Sequence, residues 1–387
     1  MPWRETCVMD ERIRFIAALK EEPECNFSRV CARFGIHRTT GYKWVARYEA
    51  LGPPGLVDCE PVARSCPHAT SPEIVDRVVA LRKERPHDGP KKLRALLLER
   101  APELAVPAAS TIGDILDRNG LIRPRRKRLR VPRSASPLSH AVAANDLWCV
   151  DYKGDFPLDD GSRCYPLTIT DAVSRYLIKC EGLPSTRDVL ARPHFERAFR
   201  EFGLPWRMRS DNGVPFATKT IGGLSSLSIW WIQLGITPER IEPGQPQQNG
   251  RHERMHLTLK QQTACPPKPT LIEQQREFDR FRHDYNDVRP HEALDQTPPA
   301  RHYEPSSRSM PDVLRCPEYE TGIEIRRVAP NGYLSWKGEL MRVTRLLASQ
   351  PVGLKLVDDD EWELLYGPVL LGYILVRDGK PRIEPLP

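Results

Sequence analysis

Three features are missing from this sequence, and each absence excludes a class of protein or site. The 387 residues contain no run of about 18 apolar side chains, so we expect no membrane-spanning helix and no membrane partner. Six of the first 14 residues are charged, which argues against a secretory signal at this end. The ten cysteines include no Cys-x-x-Cys pair, the spacing typical of structural zinc sites. We therefore expect reduced thiols and a cytoplasmic protein.

Proline, by contrast, is abundant. The 38 prolines are about twice the usual share, and they predict many breaks between elements of modest length. The chain is also long enough for two or three domains of roughly 100–200 residues each. Hydrophobic residues make up 40% of the sequence, so each of these domains can bury a core. The sequence therefore predicts a folded multidomain protein.

Positive charge is concentrated in the first third of the chain. Residues 1–140 contain 26 Lys and Arg against 17 Asp and Glu, a net charge of +9, whereas the remaining residues carry −2. Such an imbalance is typical of a polyanion-binding module joined to a different domain. We divide this region into a helical unit over 1–60, a second over 70–122 and a basic linker over 123–140.

The linker holds seven cations between positions 123 and 133. A run of like charges repels itself, so it predicts an extended segment lying on DNA phosphates, with a merely solvated linker as the alternative. The predicted phosphate contacts are Arg125, Arg126, Lys127, Arg128 and Arg130.

The first helical unit has the pattern of a helix-turn-helix. Ile13, Ile16 and Ala17 are expected to share the inner face of a leading helix. Gly35 then separates two short apolar-patterned segments, the second of which would enter a DNA major groove. An ordinary helical hairpin is the alternative interpretation. The residues predicted to contact DNA are Arg38, Thr39, Thr40 and Lys43.

After the linker the pattern changes to strands alternating with helices. Three β-rich segments between 146 and 180 precede a helix, a short strand and further helices, which predicts an α/β domain with a mixed sheet over 141–305. Beyond Pro311, short strand-like runs separated by glycines indicate a small β-barrel or sandwich, and we predict a β-barrel over 315–387.

Three acidic residues of the α/β domain form the candidate active site. Asp151 lies within a strand, Asp211 follows a strand in Ser-Asp-Asn-Gly, and Glu253 lies on a helix after a Pro/Gly-rich loop. Carboxylates from a strand, a strand end and a helix can converge, and hard oxygen ligands suit Mg²⁺ or Mn²⁺. A pair of such ions can activate a water or a 3′-hydroxyl against a phosphodiester. Taken singly, each acid has an ordinary structural explanation.

Together these features resemble the DDE integrase/transposase family, and most closely the insertion-sequence transposases with a retroviral-integrase-like core. The resemblance covers most of residues 10–305. It depends on the motifs Trp148-x-x-Asp151, Ser210-Asp211-Asn212-Gly213 and Pro246-Gln-Gln-Asn-Gly-Arg-His-Glu253, with Lys260 seven residues further on. The segment Arg282-His-Asp-Tyr-Asn-Asp-Val-Arg-Pro-His-Glu-Ala-Leu294, followed by Thr297-Pro298, also resembles the family's post-catalytic segment, and the sequence assigns it no catalytic role.

The resemblance implies a ribonuclease H-like core in which Asp151, Asp211 and Glu253 bind Mg²⁺ or Mn²⁺, as two ions. It implies an enzyme that cleaves the ends of a DNA element and joins their 3′-OH to target DNA. It also implies double-stranded DNA as the partner, a homo-oligomer, a bacterial source, and a DNA contact from Lys260. Residues expected to flank the site are Asn212, His252 and His256.

Two alternatives remain open on the sequence alone. His252-Glu253-Arg-Met-His256 matches the His-Glu-x-x-His signature of zinc metalloproteases, with Glu277 as a candidate third ligand. That interpretation leaves the basic first third unexplained, together with Asp151 and Asp211. The second alternative is a DNA-binding regulator of the same architecture without catalytic activity.

Overall fold

The computed structural model describes residues 7–21, 26–58, 69–122, 140–218, 220–242, 250–377 and 379–385. The chain divides into two compact units, residues 1–69 and 70–387. Among the described residues, no helix is both long and apolar enough to cross a membrane. The predicted linker contacts Arg125, Arg126, Lys127, Arg128 and Arg130 lie outside the described residues.

The first unit is a three-helix module with the predicted helix-turn-helix. Its helices are Val8–Glu21 (α1), Phe27–Arg33 (α2) and Arg38–Leu51 (α3). Asn26 caps α2 and His37 caps α3, and Gly35 adopts a φ of +65° in the turn between them. A Cβ at Gly41 would lie 2.6 Å from Cys31 Sγ, so this glycine permits the close approach of α2 and α3.

The core of this module differs from the predicted one on α1. Ile13 is 46% exposed and Ala17 is also exposed, whereas Phe15 and Ile16 are buried. The reason is that the inner face of α1 is turned so that the Phe15 ring packs edge-on against Phe34 of the turn. The prediction for Ile13 and Ala17 is therefore wrong, and that for Ile16 is confirmed.

The second unit begins with another three-helix module. Its helices are Pro72–Glu84 (α4), Pro90–Arg100 (α5) and Ala109–Arg118 (α6). Proline at the start of α4 and α5 suits a first turn, where its missing N–H has no partner to lose. The helices bury a compact aliphatic cluster that includes Val78, Leu93 and Ile112.

The central domain is a mixed sheet with helices on both faces. The strands are Leu147–Tyr152 (β1), Phe156–Pro157 (β2), Arg163–Asp171 (β3), Leu177–Leu183 (β4), Arg207–Ser210 (β5) and Thr237–Arg240 (β6). The helices are Asp188–Phe202 (α7), Ser226–Gln233 (α8), Gly250–Thr263 (α9) and Leu271–His283 (α10). The order across the sheet is β4-β3-β1-β5-β6, with β2 at the end of β3. β3 runs antiparallel to β1 and β4, whereas β1, β5 and β6 are parallel.

The side chains of β1 alternate between two hydrophobic cores. Trp148 and Val150 pack with the helices α7 and α8, while Asp151 points to the opposite face, where α9 and α10 bury Met255 and Phe278. Since β1 lies at the centre of the sheet, Asp151 is held by a strand with partners on both sides.

The C-terminal region is all β, as predicted, but its sheet is open. The strands are Glu324–Arg327 (β7), Tyr333–Trp336 (β8), Glu339–Arg342 (β9), Pro351–Asp358 (β10), Glu361–Tyr366 (β11), Val369–Arg377 (β12) and Lys380–Pro385 (β13). Five of them form an antiparallel sheet in the order β13-β12-β11-β10-β7, and β8-β9 is a separate hairpin. The hairpin packs against β7 and β13, yet within the described ranges no ladder joins it to them. The C-terminal region is thus a small β domain, and the described residues do not form the closed barrel that was predicted.

The post-catalytic segment connects the α4–α6 module to the central domain through ion pairs and apolar packing. Arg85 forms a bidentate pair with Asp284, at 2.7 and 2.9 Å, and also pairs with Asp88 at 2.6 Å. Arg289 lies 2.8 Å from the other oxygen of Asp88. The Asp88 side chain is only 1% exposed, so it compensates two buried guanidinium groups at once. Val288 packs into the same helical core.

We predict that Asp88→Asn destabilises the protein by about 3–5 kcal/mol, because Arg289 loses the carboxylate that offsets its burial and Arg85 keeps only Asp284. Asp76→Asn, at an exposed position of α4, is the matched control and should leave stability unchanged within about 0.5 kcal/mol. Denaturant unfolding of the two variants measures the difference. Equal stabilities would show that the cluster does not contribute to holding the fold.

Candidate active site

Asp151 occupies the penultimate position of β1. Its Cα pairs with that of Thr168 on β3, and both side chains project towards α9. The Asp151 side chain is 20% exposed, so one part of the carboxylate is desolvated while another part remains accessible.

Asp211 directly follows β5, the strand parallel to β1. Its Oδ1 is buried and has no hydrogen-bond partner within the described part of the chain, whereas the Gly213 N–H donates to the carboxylate. A Cβ at Gly213 would lie 2.9 Å from Asp211 Oδ2, so only glycine lets the loop fold back this closely. Burial raises the pKa of Asp211. An anionic oxygen without a partner in this position is a fitting ligand for a cation.

Glu253 lies in the first turn of α9, on its exposed side. The opposite side of this helix buries His252, Met255, His256 and Leu259 against the sheet. The helix therefore separates its side chains into a packed face and a free face. Lys260 lies on the exposed side too, two turns after Glu253.

Asp211 and Glu253 act electrostatically on Asp151. Burial, together with the negative charges of Asp211 and Glu253, raises the pKa of Asp151 to about 7. Since both carboxylates act on Asp151, removing its proton without a compensating cation is unfavourable. A divalent cation relieves this repulsion, and carboxylate oxygens are its preferred ligands. The donor set therefore fits Mg²⁺ or Mn²⁺.

The two histidines of the His-Glu-x-x-His string point away from Glu253 and into the protein. His252 is 2% and His256 4% exposed. His252 Nε2 and His256 Nε2 each lie 2.7 Å from Thr168 Oγ1, and His252 Nδ1 lies 2.9 Å from Thr170 Oγ1. Burial lowers the pKa of His252 to about 3, and burial together with His252 lowers that of His256. Both imidazoles are therefore neutral.

This geometry disfavours the zinc protease alternative. Ligand atoms of Asp151, His252 and His256 lie within 4.8 Å of one another, which is close enough for a metal group. Three of the four ring nitrogens, however, already contact threonine hydroxyls. The candidate third ligand Glu277 is engaged with Lys268 and Arg280.

The other predicted residues lie on accessible surfaces. Asn212 is exposed and donates through Nδ2 to the Ile241 carbonyl at 2.8 Å, which ties the loop after β5 to the end of β6. In the first unit, the first turns of α3 present the four predicted DNA contacts: Arg38, Thr39 and Lys43 are exposed, and Thr40 is half-buried.

Sequence reasoning missed Thr168 and Thr170. They were part of a β-rich segment, and the detectable signal was their alternation with Leu167 and Ile169. A hydroxyl at every second position of a strand that is buried on both faces needs a polar partner on the covering element. The paired histidines of α9 are that partner.

Family comparisons agree with this architecture. Two models described as integrase core domain match residues 141–246 and 234–299. Two models described as homeodomain-like domain match residues 8–57 and 40–116. Over these matches the chain is similar to the integrase/transposase family. Its integrase core is the sheet domain that carries Asp151, Asp211 and Glu253.

Relatives are found among bacterial insertion elements. The chain is 26% identical over 287 residues to an uncharacterized 31.7 kDa protein of insertion element IS407 from Burkholderia multivorans, covering 74% of this chain and 93% of the relative. It is 27% identical over 181 residues to an uncharacterized 39.2 kDa protein of insertion element IS476 from Xanthomonas euvesicatoria, covering 46% and 50%. Among solved structures, a simian T-cell lymphotropic virus intasome matches at 15% identity and a TM-score of 0.37, covering 76% of this chain and 97% of that one.

We predict that the stability of the metal-free protein depends on pH through the protonation of Asp151. Because its folded pKa of about 7 exceeds the ordinary value of 3.8, the folded state holds a proton that the unfolded state releases. The stabilisation that this proton gives to the folded state is present below about pH 4 and is lost as the pH rises to about 7. The metal-free protein should therefore lose stability relative to Asp151→Asn across this window, by at most about 4 kcal/mol. Thermal unfolding at a series of pH values measures it, and parallel curves for the two proteins would contradict it.

Proposed function

We propose that the protein is a DNA transposase whose integrase core uses Asp151, Asp211 and Glu253 to cleave the ends of a DNA element and to join their 3′-OH to target DNA. The observation that carries this proposal is the placement of Asp151 on β1, of Asp211 directly after the adjacent parallel strand β5 and of Glu253 in the first turn of α9, all within the region matched by the integrase core models. Three carboxylates that repel one another in a family of polynucleotidyl transferases are best explained as ligands of divalent cations.

The three acids would bind the metal ions, and Lys260 would bind DNA. Asp151 and Asp211 would hold Mg²⁺ or Mn²⁺, as two ions, from adjacent parallel strands, and Glu253 would complete the ligand set from α9. Bound there, such ions lower the pKa of the attacking water or hydroxyl and stabilise the charge on the leaving oxygen. Lys260, on the exposed side of α9, would contact the phosphate backbone.

DNA is held by the basic first third. Helix α3 has the exposed cations and hydroxyls expected of a recognition helix, and the second helical module extends the footprint. Two ends of an element must be cut and joined together, so the active form would be a homo-oligomer with at least two active sites. The relatives belong to bacterial insertion elements, which suggests action on DNA in a bacterial cytoplasm.

We predict that Asp211→Asn and Glu253→Gln each reduce Mg²⁺-dependent strand cleavage by at least about a hundredfold, because several kcal/mol of transition-state charge stabilisation are lost. DNA binding should be retained. The substrate is obtained by recovering genomic fragments on the full-length Asp211→Asn protein. The exposed variant Asp159→Asn is the control and should cut like the unmodified chain. Tight binding without cutting or joining at any Mg²⁺ concentration would identify the protein as the catalytically inactive regulator instead.

A second prediction concerns recognition. Replacing Arg38 or Lys43 by alanine should raise the Kd for the recovered DNA about tenfold or more, since a specific base contact contributes about 1–3 kcal/mol. Glu49→Gln lies at the exposed far end of the same helix and should leave the Kd unchanged or slightly lower. Fluorescence anisotropy at fixed salt measures all three. Unchanged affinity in both alanine variants would exclude α3 as the recognition helix.

A further inference from the structure

The buried polar cluster beneath Asp151 is more elaborate than packing requires. Thr168 Oγ1 lies 2.7 Å from His252 Nε2, 2.7 Å from His256 Nε2 and 3.1 Å from the Asp151 carbonyl oxygen. Beyond it, His256 Nδ1 faces Asp151 Oδ2 at 3.7 Å. One threonine hydroxyl thus joins both histidines of α9 to the strand that carries Asp151.

The number of protons restricts how this cluster can be arranged. A hydroxyl donates one hydrogen bond, and each neutral imidazole carries one N–H. Thr168 can donate to the Asp151 carbonyl, to His252 Nε2 or to His256 Nε2. In the first two arrangements His256 Nε2–H donates to Thr168, which leaves a lone pair of His256 Nδ1 facing the carboxylate, whereas the third places an N–H there. Once Asp151 is ionised, only donation from Thr168 to His256 Nε2 avoids repulsion between the His256 Nδ1 lone pair and an anionic oxygen.

We propose that His256 is a positioning residue for Asp151, and that the chain Thr170–His252–Thr168–His256 fixes the ring with its Nδ1–H directed at the carboxylate. In this chain Thr170 donates to His252 Nδ1, His252 Nε2–H donates to Thr168, and Thr168 donates to His256 Nε2. The Nδ1–H of His256 then engages Asp151 Oδ2 and leaves Oδ1 for a cation. The proposal rests on the proposed function for the role of Asp151.

The separation of 3.7 Å is about 0.8 Å longer than an ordinary N–H···O hydrogen bond. Catalytic contacts are commonly long before the ligands are in place and shorten when the site is assembled. The same chain also anchors the buried face of α9 to β3, so it places the first turn, which carries Glu253, relative to Asp151.

The test begins with a measurement that needs neither substrate nor activity. In ¹⁵N-histidine-labelled, metal-free full-length protein at about pH 8.5, where Asp151 is ionised, the ring nitrogen shifts report each tautomer. We expect His256 as the Nδ1–H form and His252 as the Nε2–H form, assigned with the single His252 and His256 variants. An Nε2–H tautomer at His256 would overturn the proposal.

Two substitutions then separate the two ring nitrogens. Asparagine places an amide N–H near the Nδ1 position, and glutamine places one near the Nε2 position. Calorimetric titration with Mg²⁺ should show affinity within about threefold of the unmodified chain for His256→Asn and a loss of about 10–100-fold for His256→Gln and for Thr168→Val. His140→Gln, in an exposed loop, and Thr258→Val, on α9 outside the cluster, are the matched controls and should bind normally.

The outcomes distinguish this proposal from the proposed function. Normal Mg²⁺ affinity in folded His256→Gln would overturn the positioning role even if strand cleavage were found. Loss of affinity in His256→Gln with rescue in His256→Asn would support that role even if the protein cut no DNA. Thermal unfolding shows which variants are folded. If His256→Gln is not folded, the tautomer measurement on the unmodified chain decides whether His256 positions Asp151.

Discussion

The structure of the site depends on one constraint: a carboxylate in the central strand of a sheet, partly removed from water, under the field of two other carboxylates. Each of these conditions disfavours the charge on Asp151. A fold that only needed stability would place an apolar side chain at this position of β1, as it does at Val150 on the other face. The unfavourable arrangement persists because the rest of the sheet enforces it, which is the usual mark of a functional site.

Helix α9 makes this arrangement specific through its two faces. Its buried face combines apolar packing by Met255 and Leu259 with hydrogen bonds from His252 and His256, so the rotation of the helix about its axis is fixed by directional contacts as well as by shape. The exposed face then presents Glu253 and Lys260 to solvent. The same string of residues that resembles a protease motif thus serves to orient a helix.

Much of this could be predicted from the sequence, and what was missed has identifiable physical causes. The placement of Asp151 within a strand and of Asp211 directly after one could be predicted from local alternation and turn residues. The helix-turn-helix could be predicted from the spacing around Gly35. The orientation of α1 could not be predicted from local patterns, because Ile13 and Phe15 fit amphipathic patterns of similar quality. The edge-on contact of Phe15 with Phe34 decides between them. The open C-terminal sheet and the ion cluster of Arg85, Asp88 and Asp284 depend on contacts between distant segments, which no local pattern encodes.

The most direct measurement of the central claim is anomalous diffraction from crystals of the full chain soaked in Mn²⁺. The account predicts one or two manganese peaks in direct contact with carboxylate oxygens of Asp151 and Asp211, at about 2.0–2.4 Å, with Glu253 completing the ligand set. A manganese peak on the nitrogens of His252 and His256, or full Mn²⁺ occupancy elsewhere with the three acids unliganded, would contradict it.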